Sequence, residues 1–272
     1  MLLDIHTHRL PADASAALLS CCMRDVPLPE GARFISAGIH PWYLTREDYP
    51  RQLEWVVSML NDRRVIALGE AGLDKRCDTP FDLQVEAFQA IALLASRHRL
   101  PLLIHAVKSS EELIALKKRI KPENAWIIHG FRGKKELAES LVRQGFYLSF
   151  GEKYQVEALQ AVPADRLLLE TDESICPIEE LYWLAARQRN IGVEQLVSEI
   201  QETTGLLFFN SIKLVIQRKS RTFAYQSNYY VKLRISFDEF CRRIKMARNG
   251  AHHDAGHRRI AGKGNGYSLP GY

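Results

Sequence analysis

Short runs of apolar, strand-favouring residues recur along the chain: Leu2–Ile5, Ala17–Cys21, Phe34–Ile39, Val65–Leu68, Leu102–Ile104, Trp126–Ile128, Tyr147–Phe150 and Leu167–Leu169. Several are apolar throughout, with little alternation. Strands buried on both faces have this pattern, so it predicts a parallel sheet covered by helices. Between most of these runs apolar residues return every three or four positions. That spacing predicts helices over Tyr49–Asn61, Leu83–Arg97, Ser110–Ile120, Lys134–Gln144 and Gln155–Ala161. Two more, Ile178–Arg189 and Val193–Thr203, follow the last strand. Strand and helix alternating around eight strands predict an α/β fold, the TIM (β/α)8 barrel. About 25 residues separate His8 from Phe34, too few for two full crossover helices. The expected barrel is therefore compact, with shortened first crossovers.

The pattern stops near Asn210. Beyond it come Arg218-Lys219-Ser220-Arg221, a Tyr-rich stretch from Tyr225 to Tyr230 and a Gly/His/Arg end, with one short amphipathic segment over Phe237–Met246. The expected organisation is a barrel over residues 1–210 and a basic C-terminal extension over 211–272. Charge divides at the same place. The formal net charge is +5. Residues 211–272 carry 13 Lys/Arg against 3 Asp/Glu, whereas residues 1–210 carry 24 against 29. The basic pI belongs to the extension, so it does not mark the body as a nucleic-acid-binding surface.

Composition narrows the class. The 272 residues are 46% hydrophobic and 25% charged, which excludes wholesale disorder, collagen and coiled coil. No apolar run approaches the ~20 residues of a membrane helix, so no membrane association is expected. Asp4 and His6 interrupt the start, where a secretion signal would need an apolar stretch. The five cysteines, Cys21, Cys22, Cys77, Cys176 and Cys241, are irregularly spaced and lack a C-x-x-C pair. Reduced thiols and a cytoplasmic location are the expectation. Nothing in the pattern sets an oligomeric state.

The candidate chemistry lies at strand ends, where barrels of this kind carry their reactive groups. The first strand leads into His6-Thr7-His8, the third into His40-Pro41-Trp42 and the fourth into Gly69-Glu70-Ala71-Gly72-Leu73-Asp74. The fifth ends in His105, the sixth in His129 and the eighth in Glu170-Thr171-Asp172. Residues two apart on a strand point the same way, so His6 and His8 can face one ion. Of the six histidines before Asn210, only His98, between Arg97 and Arg99, sits on a helix. One strand-end histidine is usually structural. Five on one rim beside two carboxylates point instead to metal. Four imidazoles with Glu70 and Asp172 exceed the needs of one ion. They suit a pair of divalent cations of the kind that clamps the attacking and leaving oxygens of a hydrolysis. Glu70 could bridge the pair, and Asp172 could bind one ion and take the proton of the attacking water. The N/O donor set admits Mg²⁺, Mn²⁺ or Zn²⁺.

Asp4-x-His6-x-His8, Gly38-Ile39-His40-Pro41, Gly69-Glu70-x-Gly72-Leu73-Asp74, Pro101-Leu-Leu-Ile-His105, His129-x-Phe131-x-Gly133, Gly145-Phe-Tyr-Leu-Ser149 and Glu170-Thr171-Asp172 occur in the order seen in TatD-type metal-dependent hydrolases. Residues 1–210 resemble a short form of that family. The resemblance implies a TIM barrel acting as a deoxyribonuclease, often as a 3′–5′ exonuclease. It implies that His6, His8, Glu70 and Asp172 hold one metal, that Glu70, His105 and His129 hold the other, and that Asp172 lies beside the nucleophilic water.

Two departures concern the grip on phosphate. The family usually has Arg two residues after the fifth-strand His, whereas here Ala106-Val107-Lys108 follows His105. On an extended chain Lys108 would point the other way. Relatives also carry a His/Arg/Asn-rich loop after the last Asp. Here Glu173-Ser174-Ile175-Cys176-Pro177 enters a helix with no basic residue before Arg187. His40, Lys108 and Arg132 remain the substrate-binding candidates, with DNA or another phosphodiester as partner. Lys134 and Lys135 could also reach phosphate, and Trp42 or Tyr43 could stack on a base, although loop packing is the commoner role.

Rival readings predict other signatures. A PHP-type phosphoesterase would close with a late Asp-x-His pair. Many amidohydrolases bridge their metals with a modified Lys where Glu70 stands here. A metal-stabilised module could instead act through its basic tail. The expectation is a two-metal phosphodiesterase, with Asp172 and Glu70 as its catalytic carboxylates.

Overall fold

The computed structural model describes residues 2–10 and 13–209. Eight parallel strands follow in chain order: β1 (Asp4–Thr7), β2 (Ala17–Cys21), β3 (Phe34–Ala37), β4 (Val65–Asp74), β5 (Leu102–Val107), β6 (Trp126–Ile128), β7 (Phe146–Phe150) and β8 (Leu167–Leu169). Each pairs with its sequence neighbour. The ring closes just past β8, where a parallel bridge joins Thr7 to Asp172. Asp172 N–H donates to His6 O at 2.9 Å, and His8 N–H donates to Asp172 O at 3.1 Å. The fold is the expected TIM barrel.

Helices follow β3 to β8: α1 (Tyr49–Met59), α2 (Phe81–His98), α3 (Ser110–Ile120), α4 (Lys135–Arg143), α5 (Val156–Ala161), then α6 (Ile178–Gln188) and α7 (Val193–Thr204) in succession. The first two crossovers contain no α-helix among the described residues. The second has only a 3₁₀ turn at Met23–Asp25. Yet β1 and β2 are buried along their whole length, so their outer faces need cover from elsewhere. The two helices after β8 help to supply it. Tyr182 on α6 donates its hydroxyl to Leu3 O at 3.0 Å, and Thr204 on α7 donates to Leu2 O at 3.0 Å. A π-helical turn at Gly205–Phe209 then carries Phe209 to the Phe34 ring, 5.4 Å between centroids. A small cluster of Leu19, Cys21, Ala32 and Ile35 packs under Leu28, Trp55 and Val65.

The predicted helices stand within a few residues of the observed ones. Two strands run further than expected: β4 continues from Leu68 to Asp74 and β5 from Ile104 to Val107. Gly69 and Gly72 resemble a turn in sequence, but here they let two strands press together. A Cβ on Gly72 would collide with the carbonyl of His105, and one on Gly69, which has φ +110°, with the carbonyl of Leu103. The expected extension over 211–272 lies outside the described residues. No helix among those described is long and apolar enough to cross a membrane.

Candidate metal centre

The strand ends meet on one rim, around Glu70. This carboxylate leaves the middle of β4 and is 4% exposed. Its Oε1 lies 2.7 Å from His129 Nε2, 2.8 Å from His105 Nδ1 and 3.1 Å from His40 Nε2. Its Oε2 lies 3.3 Å from His6 Nε2 and 3.4 Å from His8 Nε2. The β1 pair also approaches Asp172, whose Oδ1 is 3.8 Å from His6 Nε2 and 3.6 Å from His8 Nε2. Five imidazoles from four strands thus surround one glutamate, with Asp172 beside them. The alternation along β1 puts His6 and His8 on one side as anticipated.

Carboxylates behind the imidazoles fix how the rings face. Glu170, fully buried, lies 3.2 Å from His129 Nδ1 and accepts Gly130 N–H at 2.6 Å. Asp74 Oδ2 lies 3.3 Å from His105 Nε2 and accepts the Trp42 indole N–H at 2.8 Å. Gln84 holds Asp74 from behind, accepting its N–H at 2.7 Å and donating to its carbonyl at 3.0 Å. A histidine that donates one ring N–H to a carboxylate offers the other nitrogen forward, the usual arrangement of metal-binding imidazoles. Asp4 takes Thr171 Oγ1–H at 2.7 Å and Thr171 N–H at 3.0 Å. It ties β1 to the segment after β8. Sequence position alone assigns Glu170 and Asp74 no role. Both stood beside assigned residues, but which nitrogen they meet depends on contacts across 41 and 31 positions of chain.

His40 stands differently. Its Nδ1 accepts the Trp42 backbone N–H at 3.1 Å. That fixes the proton of the neutral ring on Nε2, which donates toward Glu70.

The electrostatics follow from these contacts. Burial alone would raise Glu70, but the imidazoles of His129 and His6 hold it well below the usual carboxylate range. Burial opposes the charge on His129, yet Glu70 and Glu170 together push it well above the usual histidine value. His6 is lowered by burial and by the neighbouring His129. His8 is raised, its partial burial outweighed by Glu70 and Asp172. Burial lifts Asp4 to about 7 against the pull of Thr171.

The donor set fits divalent metal ions. His6 Nδ1 and Nε2 and Glu70 Oε2 are buried without hydrogen-bond partners. Such atoms are costly unless something else satisfies them. His6–His8–Asp172, His6–Glu70–His129 and His40–Glu70–His105 each bring three ligand atoms within 4.8 Å of one another.

The rim opens into a cavity of about 910 Å³. Its walls include His8, His40, Trp42, Lys108, Arg132 and Asp172. Lys108 corrects the expectation that it points away. Its φ of +51° turns the chain at the end of β5, so strand alternation no longer sets its direction, and it lines the cavity. Lys134 and Lys135 are exposed at the start of α4, Lys135 reaching Glu139 at 3.8 Å. His98 is exposed on α2, as expected. Asp172 adopts φ +55°, a left-handed conformation that Asp tolerates better than most residues.

A closed parallel barrel with imidazoles and carboxylates converging at the C-terminal ends of its strands defines a metal-dependent hydrolase of the TIM-barrel class. The chain belongs to the TatD related DNase family, whose model matches residues 29–210. It is 31% identical over 215 residues to the uncharacterized metal-dependent hydrolase YabD of Bacillus subtilis, covering 74% of this chain and 82% of that one. It is 29% identical over 148 residues to the 3′-5′ ssDNA/RNA exonuclease TatD of Salmonella typhimurium, covering 50% of this chain and 56% of the relative. The crystal structure of YjjV, a TatD homologue from Escherichia coli, superposes with a TM-score of 0.64 at 20% identity, over 76% of this chain and 97% of that one.

Proposed function

We propose that the protein is a phosphodiesterase that hydrolyses nucleic acid, DNA first, using two divalent cations. His6, His8, Glu70 and Asp172 would hold one cation, and Glu70, His105 and His129 the other. Bound there, Mg²⁺, Mn²⁺ or Zn²⁺ would offset the charge that develops on the phosphoryl oxygens and ease deprotonation of the attacking water. Glu170 keeps His129 Nε2 turned toward Glu70, and Asp74 does the same for His105 Nδ1. Asp172, one quarter exposed on the cavity wall, takes the proton of the water as its oxygen bonds to phosphorus and the P–O ester bond breaks. Lys108 and Arg132 neutralise neighbouring phosphates, and His40, on the cavity wall, steadies Glu70 through its Nε2–H. Free thiols at Cys21, Cys22, Cys77 and Cys176 support a cytoplasmic site of action.

The observation that carries this reading is the convergence of five imidazoles on Glu70, next to Asp172, at the floor of a cavity with basic side chains on its wall. The test is nucleotide release from single-stranded DNA with each of the three metals, comparing the parent with Asp172→Asn and Glu70→Gln. Asn suits the left-handed backbone at 172, so that variant isolates the loss of the carboxylate. The reading expects both variants to lose activity; equal release by all three proteins would refute the roles assigned.

A further inference from the structure

The cavity is lined by basic side chains, Arg76 after β4 among them. Lys108 follows β5, Arg132 follows β6 and Lys153 follows β7, and all three line it. In an eight-strand ring β7 lies across from β3. Past the end of β3, in that opposite position, stands Trp42, 55% exposed and lining the same cavity. The ring is exposed but firmly held. Its indole N–H donates to buried Asp74 at 2.8 Å, and its backbone N–H to His40 at 3.1 Å. It meets the His40 and His105 rings edge to face, with centroids 5.0 and 5.8 Å away. Adjacent Tyr43 is a poorer candidate, since the Arg24 guanidinium covers one face at 4.1 Å.

We infer that Trp42 is a stacking platform for the unpaired base next to the bond being cut, with the rest of the strand led away over Lys108, Arg132 and Lys153. Every base has a π-face, so such a platform selects for unpaired nucleotides without selecting sequence. A duplex end would have to fray before its base could reach the ring. The inference rests on the nucleic-acid reading above and extends it to the residue that grips the base.

The test separates stacking from the hydrogen bond to Asp74. Trp42→Phe keeps a ring and loses the N–H, whereas Trp42→Leu loses both. With full-length metal-loaded protein, KM is measured on a single-stranded oligothymidylate and on the same oligomer abasic at its terminal unit. Stacking predicts that Trp42→Leu raises KM roughly tenfold or more on the intact oligomer, and that Trp42→Phe raises it less. On the abasic oligomer the parent should already show the higher KM, and Trp42→Leu should add little. A non-cleavable phosphorothioate tetrathymidylate should quench indole fluorescence in the parent and not in Trp42→Phe. Equal losses on both oligomers, or equal losses in Phe and Leu, would overturn the platform and leave Trp42 acting only through Asp74. A parent that cleaves while Trp42→Leu matches it in KM overturns the platform alone. A metal-loaded parent that releases no nucleotide overturns the nuclease reading as well.

Discussion

The two ends of the barrel are built by opposite rules. At the C-terminal rim Glu70, His129 and Glu170 are buried charges or potential charges, several polar atoms have no hydrogen bond, and Lys108 and Asp172 adopt left-handed backbone. Toward the other end, Trp126 and Phe146 begin β6 and β7, fully buried, with the Phe88 ring 5.2 Å from Trp126. The Lys117 ammonium lies 5.2 Å from the Trp126 ring centre and 5.0 Å from that of Phe146. The same short strands thus carry packing at their starts and chemistry at their ends. Stability and activity should separate along the barrel axis.

Trp126→Ala should cost about 3–5 kcal/mol of unfolding free energy, read from denaturant midpoints, while the unfolding transition stays single. Glu70→Gln should lower kcat about a thousandfold, roughly 4 kcal/mol, and leave metal-free stability within ~1 kcal/mol of the parent or above it. A large stability loss in Glu70→Gln would break the division between the two ends. Glu170→Gln and Asp74→Asn should weaken metal binding about 10- to 100-fold, measured by calorimetry, because each leaves a ring less firmly oriented.

Protonation sharpens the same contrast. His129 and His8 have raised affinities for protons without metal, and a bound cation must displace those protons. Metal affinity should therefore climb as pH rises through their raised pKa values, with proton release seen as buffer-dependent heats. The smallest effect is at the far end. Burial lowers Lys117 to about 8, below its unfolded value, so the folded protein holds fewer protons than the unfolded one between that pH and about 10.5. The parent should then gain stability on Lys117→Met as pH rises through that window, by about 1 kcal/mol once solvent screening and the ring contacts are allowed for.

The sequence disclosed these two ends unequally. Continuous apolar runs gave β6 and β8 to the residue, because a strand buried on both faces leaves no ambiguity of period. The six ligand candidates were legible because strand ends were legible. β4 and β5 ran past their predicted ends because Gly69 and Gly72 serve close approach between strands, and no local pattern distinguishes that from a turn. Lys108 faces the cavity because its φ of +51° breaks the extended chain that its place after β5 implies. Glu170 and Asp74 acquire their roles only when distant imidazoles arrive beside them.

Asp172 is fixed in place by main-chain bonds to His6 and His8 at the seam of the ring, not by the segment that follows it. That segment is therefore free to be trimmed, lengthened or exchanged without displacing the carboxylate. A designer could graft new recognition there and keep the chemistry intact.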